Sequence, residues 1–277
     1  MTTAELAITR RLQPSSGWSR RTLAEIWTYR ELLFFFVWRD IKVRYKQTLL
    51  GAGWAVVQPL MTMVVFTIFF GHLAKVPSDG LPYPLFSLLA LVPWTYFASA
   101  LSGSSTSLSG YQHIISKVYF PRLIIPLAAV IAPLVDFAIG FAILIGFMAW
   151  YRIVPGAAIV WLPALMLLAL ATAASVGVWL AALNVRFRDV RYVVPFVLQL
   201  WMFATPVAYP ASLVPGRWRA VYGLNPMAGV IEGFRWALAG GPPPGIITFV
   251  SAGIVILLAV GGAIYFRRLE GTFADVI

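Results

Sequence analysis

Six stretches of this chain are long, apolar and almost free of charge, and they constrain its fold more than any other feature. A helix that crosses a bilayer needs about 20 consecutive, mostly apolar residues. No Asp, Glu, Lys or Arg lies between Lys46 and Lys75, and 54–74 is the apolar core of that stretch. The others are 84–108, 123–150, 157–183, 193–214 and 246–266. The third carries only Asp136, and the fifth contains Pro195, Pro206 and Pro210. Composition agrees: 11% of residues are charged, against about 25% in a soluble domain. The expected fold is an all-α integral membrane protein with six transmembrane helices. The absence of cysteine removes thiol catalysis, thiolate metal sites and disulfides.

Two further apolar runs are too short to span. Leu32–Trp38 lies between Arg30, Glu31, Arg39 and Asp40. Met227–Gly240 contains Glu232 and Arg235, and Pro242–Pro244 follow it. Its length suits a re-entrant or interfacial helix. The region 216–241, between spans five and six, is therefore expected to hold short re-entrant or periplasmic helices.

The net charge of +11 has a topological reading. With both termini inside, the inner segments hold nine Lys and Arg before the first span. They add Lys117 and Arg122, then Arg186, Arg188 and Arg191, then Arg267 and Arg268, sixteen in all. The outer segments hold Lys75, Arg152, Arg217, Arg219 and Arg235. Positive charge stays on the cytoplasmic side, so both termini are expected there, and the charge needs no nucleic acid to explain it. The first 30 residues are polar and show no cleavable signal peptide. The chain divides into a tail at 1–20, an amphipathic interface helix at 21–50 and a transmembrane domain at 51–277.

In the interface helix, Leu23, Ile26, Trp27, Leu33, Phe34, Val37, Trp38, Ile41 and Tyr45 recur mostly at helical steps. Arg39, Lys42 and Lys46 fall on another face. Such a helix lies in the headgroups, with its aromatic side in lipid and its basic side wet. Its spacing suits a membrane anchor, or a docking surface for a cytoplasmic partner.

Little catalytic chemistry is visible. There is no phosphate-cradling G-x-x-x-x-G-K-[ST] loop, nucleophile elbow or useful carboxylate pair. His72 and His113 are far apart, and no metal site is expected. The serine-rich run 102–109 reads as a small-residue face for close helix packing. Asp136 is the one ionisable residue inside a span. Such residues are functional candidates, but a proton relay needs further titratable groups at that depth. A hydrogen bond to a neighbouring helix, or an internal cavity, suits Asp136 better. Trp94, Tyr96, Phe97, Trp201, Phe203 and Tyr209 lie deeper than an interfacial aromatic belt. Helix packing explains most such rings, while flat faces could also stack on a moving glycan. The loop Arg186-Phe187-Arg188-Asp189 places one acid among arginines, which anchoring alone does not require.

Several segments together resemble a known family. Arg39–Leu60 reads RDIKVRYKQTLLGAGWAVVQPL, and Lys117–Pro126 reads KVYFPRLIIP. Asn184–Val190 reads NVRFRDV, and Asn225–Leu238 reads NPMAGVIEGFRWAL. With six spans, these look like the permease subunit of ABC-2-type exporters of bacterial surface polysaccharide: O-antigen, capsule and wall teichoic acid. The resemblance implies a homodimer in the inner membrane, served by two ABC ATPase subunits. ATP and Mg would bind those partners, and this chain would hold no cofactor. The substrate would be a polysaccharide on an undecaprenyl-diphosphate lipid. Arg39, Asp40, Arg44, Tyr45, Arg186, Phe187, Arg188 and Asp189 would couple to the motor subunits. Lys46, His113, Lys117, Tyr119 and Arg122 would meet the lipid diphosphate at the cytoplasmic face, although ordinary anionic phospholipid is drawn to the same charges. Other readings are an ABC-2 permease for a small drug or lipid, a proton-driven transporter, and a membrane-embedded glycosyl-transfer enzyme.

Overall fold

Every regular element is helical among the described residues, which are 25–46, 53–115, 117–271 and 273 of this computed structural model. Helix α1 spans Arg30–Lys46, α2 Gly53–Phe66, α3 Tyr83–Gly110, α4 Ile124–Ile131 and α5 Leu134–Trp150. Then come α6 at Leu162–Arg186, α7 at Val190–Phe203, α8 at Pro226–Ala239 and α9 at Ile246–Glu270. Residues 25–28 are helical ahead of α1, while 1–24 and 47–52, Leu23 included, lie outside the described residues.

Five helices are long and apolar enough to cross a membrane: Gly53–Leu73, Tyr83–Gly110, Ile124–Trp150, Ala157–Arg186 and Thr248–Glu270. They match five of the six expected segments. The first begins as α2 and ends in a π-helical stretch, Thr67–Leu73. The third is divided between α4 and α5 at Ala132–Pro133, where proline lacks the N–H that would continue the ladder. The expected fifth span, 193–214, is not one continuous helix. Its helix α7 has 14 residues and ends where Pro206 and Pro210 follow. At 1.5 Å per residue it is about 21 Å long, short of the roughly 30 Å hydrocarbon core.

Helix α3 is the axis of the bundle. Its apolar window is 78% buried, whereas that of Gly53–Leu73 is only 17% buried. Apolar side chains on every side of a helix require neighbours on every side. Small residues bring those neighbours close, as the serine run suggested. A Cβ on Gly177 of α6 would lie 2.5 Å from Ser104 Oγ of α3. On α9, Gly261 and Gly262 lie beneath the indole of Trp179, whose Nε1 donates to the Leu258 carbonyl at 2.9 Å. Such contacts hold helices together where lipid offers no hydrophobic drive.

The buried side chains form two clusters. The larger surrounds the first half of α3 with α5, α6, α7 and α8. The smaller joins Phe36 of α1 to the end of α3, to α4, and to the last turns of α6 and α9. This second cluster lies at the basic end of the bundle.

Helix α8 occupies the region expected to be re-entrant. Asn225 is its N-cap, accepting from Met227 N at 3.1 Å, and Pro226 suits the first turn. Gly240 terminates it at φ 74, a left-handed conformation that glycine adopts without penalty. Between cap and terminator the helix is almost wholly buried against α3, α6 and α9.

Candidate functional site

Helix α1 is fixed to the bundle at three places. Phe36, 1% exposed, packs against Tyr111 and Phe120 with ring centroids 5.0 and 5.7 Å away. One turn further along, Tyr111 donates to Asp40, and the Arg39 guanidinium lies over the Tyr111 ring at 4.2 Å. At the far end, Arg44 and Tyr45 both donate to the carboxylate of Asp136 on α5. The side chains are half-buried there, in a partly dry setting where charge-assisted hydrogen bonds are strong. Burial, then the bond to Asp136, pushes the Tyr45 phenol up to about 12. Burial, with the bond to Asp40, raises Tyr111 as well. Both phenols stay protonated and donating at neutral pH. Tyr45's contribution to stability is fully present below its ordinary value near 10 and is lost only as pH rises through about 12.

These contacts make α1 a strut from the α3–α4 loop to a membrane-depth carboxylate. Asp136 borders a cavity of about 290 Å³ between α1, α2, α3 and α5. Gln58, Thr95 and Ser99 give it polar walls, and no second acid or histidine lines it among the described residues. Asp136 therefore has a guanidinium and a phenol as neighbours but no relay partner there. Both alternatives weighed from the sequence, a bond to a neighbouring helix and an internal cavity, occur together.

The residues expected to meet a lipid diphosphate lie on two elements. Lys117 and Tyr119 are exposed on the α3–α4 loop, with His113 exposed just before them. Lys46 lies ten residues beyond Phe36 on α1, about 15 Å along the helix. Arg122 is committed elsewhere: its backbone N–H donates to Glu270 Oε1 at 3.0 Å, and its guanidinium donates to the Glu270 carbonyl. That ties the α3–α4 loop to the end of α9. Arg267 of α9 also reaches Glu25 at 3.5 Å, ahead of α1. Paired carboxylates at the basic end were not anticipated, because Glu25 and Glu270 are remote in sequence from their partners.

The residues Arg186, Phe187, Arg188 and Asp189 form an exposed link between α6 and α7. Their side chains are offered outward, with the Arg186 guanidinium over the Phe187 ring at 5.4 Å. Asp189 stands at the N-cap of α7 but makes no side-chain cap. The eight candidate coupling residues thus divide. Arg39, Asp40, Arg44 and Tyr45 are bonded inside the protomer, and Arg186–Asp189 face outward.

The aromatic path candidates also divide. Trp94, Tyr96 and Phe97 are corrected to core residues, being 4%, 1% and 0% exposed. A ring enclosed on both faces has no surface on which a sugar could stack. Tyr96 Oη donates to the Val130 carbonyl at 3.2 Å, and Phe97 meets Trp201 edge-on at 5.0 Å. Trp201 Nε1 donates to Asn225 Oδ1 at 2.9 Å. Tyr209 donates to the Phe203 carbonyl at 3.0 Å and accepts from Tyr222 at 2.8 Å. Phe203 is 49% exposed and alone presents an open face.

Asn225 is a hub that sequence reading missed. Besides capping α8 and accepting from Trp201, it donates to Thr205 Oγ1 at 2.9 Å. Arg235 of α8 extends the same link. Its guanidinium lies over Phe86 at 3.7 Å and donates to the Val207 carbonyl at 3.1 Å. The break after α7 is thus fastened to α8 and α3. Asn225→Ala removes a cap and leaves an indole N–H unpaired. The expected loss is about 2 kcal/mol, read as a lower melting temperature of the purified protein, while Asn225→Asp keeps the cap and loses less.

Comparison with known proteins places this architecture. The ABC-2 type transporter family matches residues 31–239. The O-antigen export system permease protein RfbA of Myxococcus xanthus is 29% identical over 265 residues, covering 93% of this chain and 99% of its own. The protein of the same name from Klebsiella pneumoniae is 28% identical over 248 residues, covering 89% and 95%. The polysialic acid transport protein KpsM of Escherichia coli is 23% identical over 246 residues, covering 84% and 91%. The match runs from the strut helix α1 through the capped helix α8, and the chain belongs to the ABC-2 type transporter membrane family.

Proposed function

We propose that this chain is the permease subunit of an ATP-driven exporter of bacterial surface polysaccharide, of the O-antigen kind. The similarity to two O-antigen export permeases over nearly the whole chain carries the reading. The finer assignment follows the family. The cargo is a polysaccharide on undecaprenyl diphosphate, moved across the inner membrane from the cytoplasmic side. Two copies of the permease form the path, and two separate ABC ATPase subunits bind ATP and Mg. The basic end of the bundle faces the cytoplasm, as do both termini. Two poorly covered helices support a second copy: Met61 and Val65 of α2 with Phe69 of the π-helical stretch that continues it, and Phe196, Val197 and Leu200 of α7, are exposed. Helix α7 completes a sixth crossing together with 204–214, and α8 dips back into the outer leaflet.

In this reading α1 is the lever. The motor subunits push on the α3–α4 loop and on Arg186–Asp189. The aromatic contact at Phe36 passes the displacement to α1, and Arg44 and Tyr45 pass it to Asp136 on α5. The cavity beside Asp136 gives that end room to move.

Depletion in the native host tests the reading. Loss of surface glycan with accumulation of lipid-linked polymer inside is the expected result. Normal surface glycan without internal build-up, in a strain lacking a redundant exporter, overturns it in favour of an ABC-2 permease for a small drug or lipid. Arg188→Glu and Asp189→Ala are expected to leave the permease folded and to cut export per ATP hydrolysed about tenfold or more, because an exposed link contributes little to stability. Unchanged coupling in both removes the link from the mechanism.

A further inference from the structure

A second cavity at the basic end has a composition the strut does not explain. It measures about 460 Å³, between the last turns of α3 and α6 and the start of α7. Thr106, Ser109, Gln112, Asn184, Arg188 and Arg191 supply its polar lining, and no carboxylate is among them. Arg191 Nη2 donates to Tyr192 Oη at 2.8 Å, and the guanidinium lies over that ring at 4.7 Å. This holds the group in place and leaves its remaining N–H groups without a protein partner among the described residues. Arg188 makes no hydrogen bond or ion pair among the described residues. At the back, Asn184 is only 4% exposed, and its Oδ1 accepts no hydrogen bond.

Two like charges at one cavity repel each other, and a buried amide without a partner is costly. An anion between the arginines relieves the first, and its hydration shell or a turn of the amide relieves the second. Guanidinium forks match the geometry of phosphate oxygens. The volume falls within the roughly 300–1,000 Å³ of small-molecule sites, more than a single phosphate fills.

We propose that this cavity binds a diphosphate group. It is distinct from Lys46, Lys117 and Arg122. Its assignment to the lipid end of the cargo rests on the function proposed above, whereas the diphosphate chemistry does not.

The test uses the purified full-length protein in phosphatidylcholine nanodiscs, titrated with inorganic diphosphate and with farnesyl diphosphate. Wild type is expected to bind diphosphate more weakly as salt rises. Arg191→Gln, at an exposed position that should fold normally, is expected to weaken binding about tenfold. Asn184→Asp, which adds a negative charge at the back wall, is expected to weaken it at least as much. Arg191→Lys should fall between wild type and Arg191→Gln. Tighter binding of farnesyl diphosphate assigns the group to a lipid, and tighter binding of the inorganic ion assigns it to a soluble phosphate. Both bear out the diphosphate site. No binding by wild type, or equal binding by wild type and Arg191→Gln, overturns it. So does loss of ATPase-subunit docking in Arg191→Gln with diphosphate binding unchanged, which gives the arginines to the partner. The titration does not involve export. A negative result therefore leaves the export reading standing, and normal surface glycan on depletion leaves a positive titration standing.

Discussion

Asp136→Ala is expected to detach the far end of α1 and reduce export at least tenfold while the permease stays in the membrane. The carboxylate accepts from Arg44 and Tyr45 together, and alanine leaves a guanidinium and a phenol facing the 290 Å³ cavity without an acceptor. Arg44 is 37% exposed and Asp136 23% exposed, so water screens part of the attraction. The stability lost is about 1–2 kcal/mol, below the 3–5 kcal/mol of a fully buried pair. Asp136→Asn separates charge from hydrogen bonding, because its amide oxygen still accepts from Tyr45. A double-mutant cycle isolates the link: once Asp136 is Asn, Arg44→Gln should cost little more. Additive losses would show that the two residues act independently. A proton relay through Asp136 predicts instead that Asp136→Asn abolishes the pH dependence of transport. The lack of a second acid or histidine at the cavity among the described residues argues for an unchanged pH profile with a reduced rate.

The largest structural effect is expected at Gly177. A Cβ there would lie 2.5 Å from Ser104 Oγ and 2.8 Å from Ser104 Cβ. Rotating the serine hydroxyl relieves the first contact but not the second, so the backbones of α3 and α6 must separate. Separation at this crossing disturbs α3, against which most of the bundle packs. Overpacking of this kind costs about 1–3 kcal/mol, and Gly177→Val belongs at the upper end. Purified Gly177→Val should melt well below wild type and accumulate poorly. Ser104→Gly removes the opposing Cβ and should restore Gly177→Ala to near wild type. Failure of that rescue would place the clash elsewhere. The same geometry gives the serine-rich stretch 102–109 a packing role, as its small side chains suggested.

The legible part of this protein is what depends on neighbours in sequence. Uninterrupted apolar runs identify five helices that can cross a membrane, because a backbone in lipid must satisfy its own hydrogen bonds and a helix alone does so locally. The run Met227–Gly240 matches α8 to within a residue at either end, because an apolar stretch closed by glycine and proline is a property of a few adjacent residues. The fifth span was less legible, because its apolar composition continues past residues that end the helix: hydropathy measures transfer to lipid and does not register proline's missing donor. The aromatic candidates misled for a related reason. A lipid-facing ring and a core ring have the same composition, and rotation of α3 about its axis decides between them. Phe36 shows this at single-residue scale. It belongs to the same run as Phe34, Phe35 and Trp38, which are 69%, 58% and 49% exposed, yet it is 1% exposed itself.

The sequence by itself determined the solvent, the helical class, the segments that can span and the family. Each follows from local composition or from motifs within one stretch of chain. Only the tertiary structure decided which polar groups act together. Asp136 meets Arg44 across 92 positions, Arg122 meets Glu270 across 148, and Trp201 meets Asn225 across 24. In a membrane protein a buried charge or amide is tolerated only beside its partner, and close helix packing selects that partner. The strut, the fastening at Asn225 and the basic cavity all come from that selection, which sequence distance conceals.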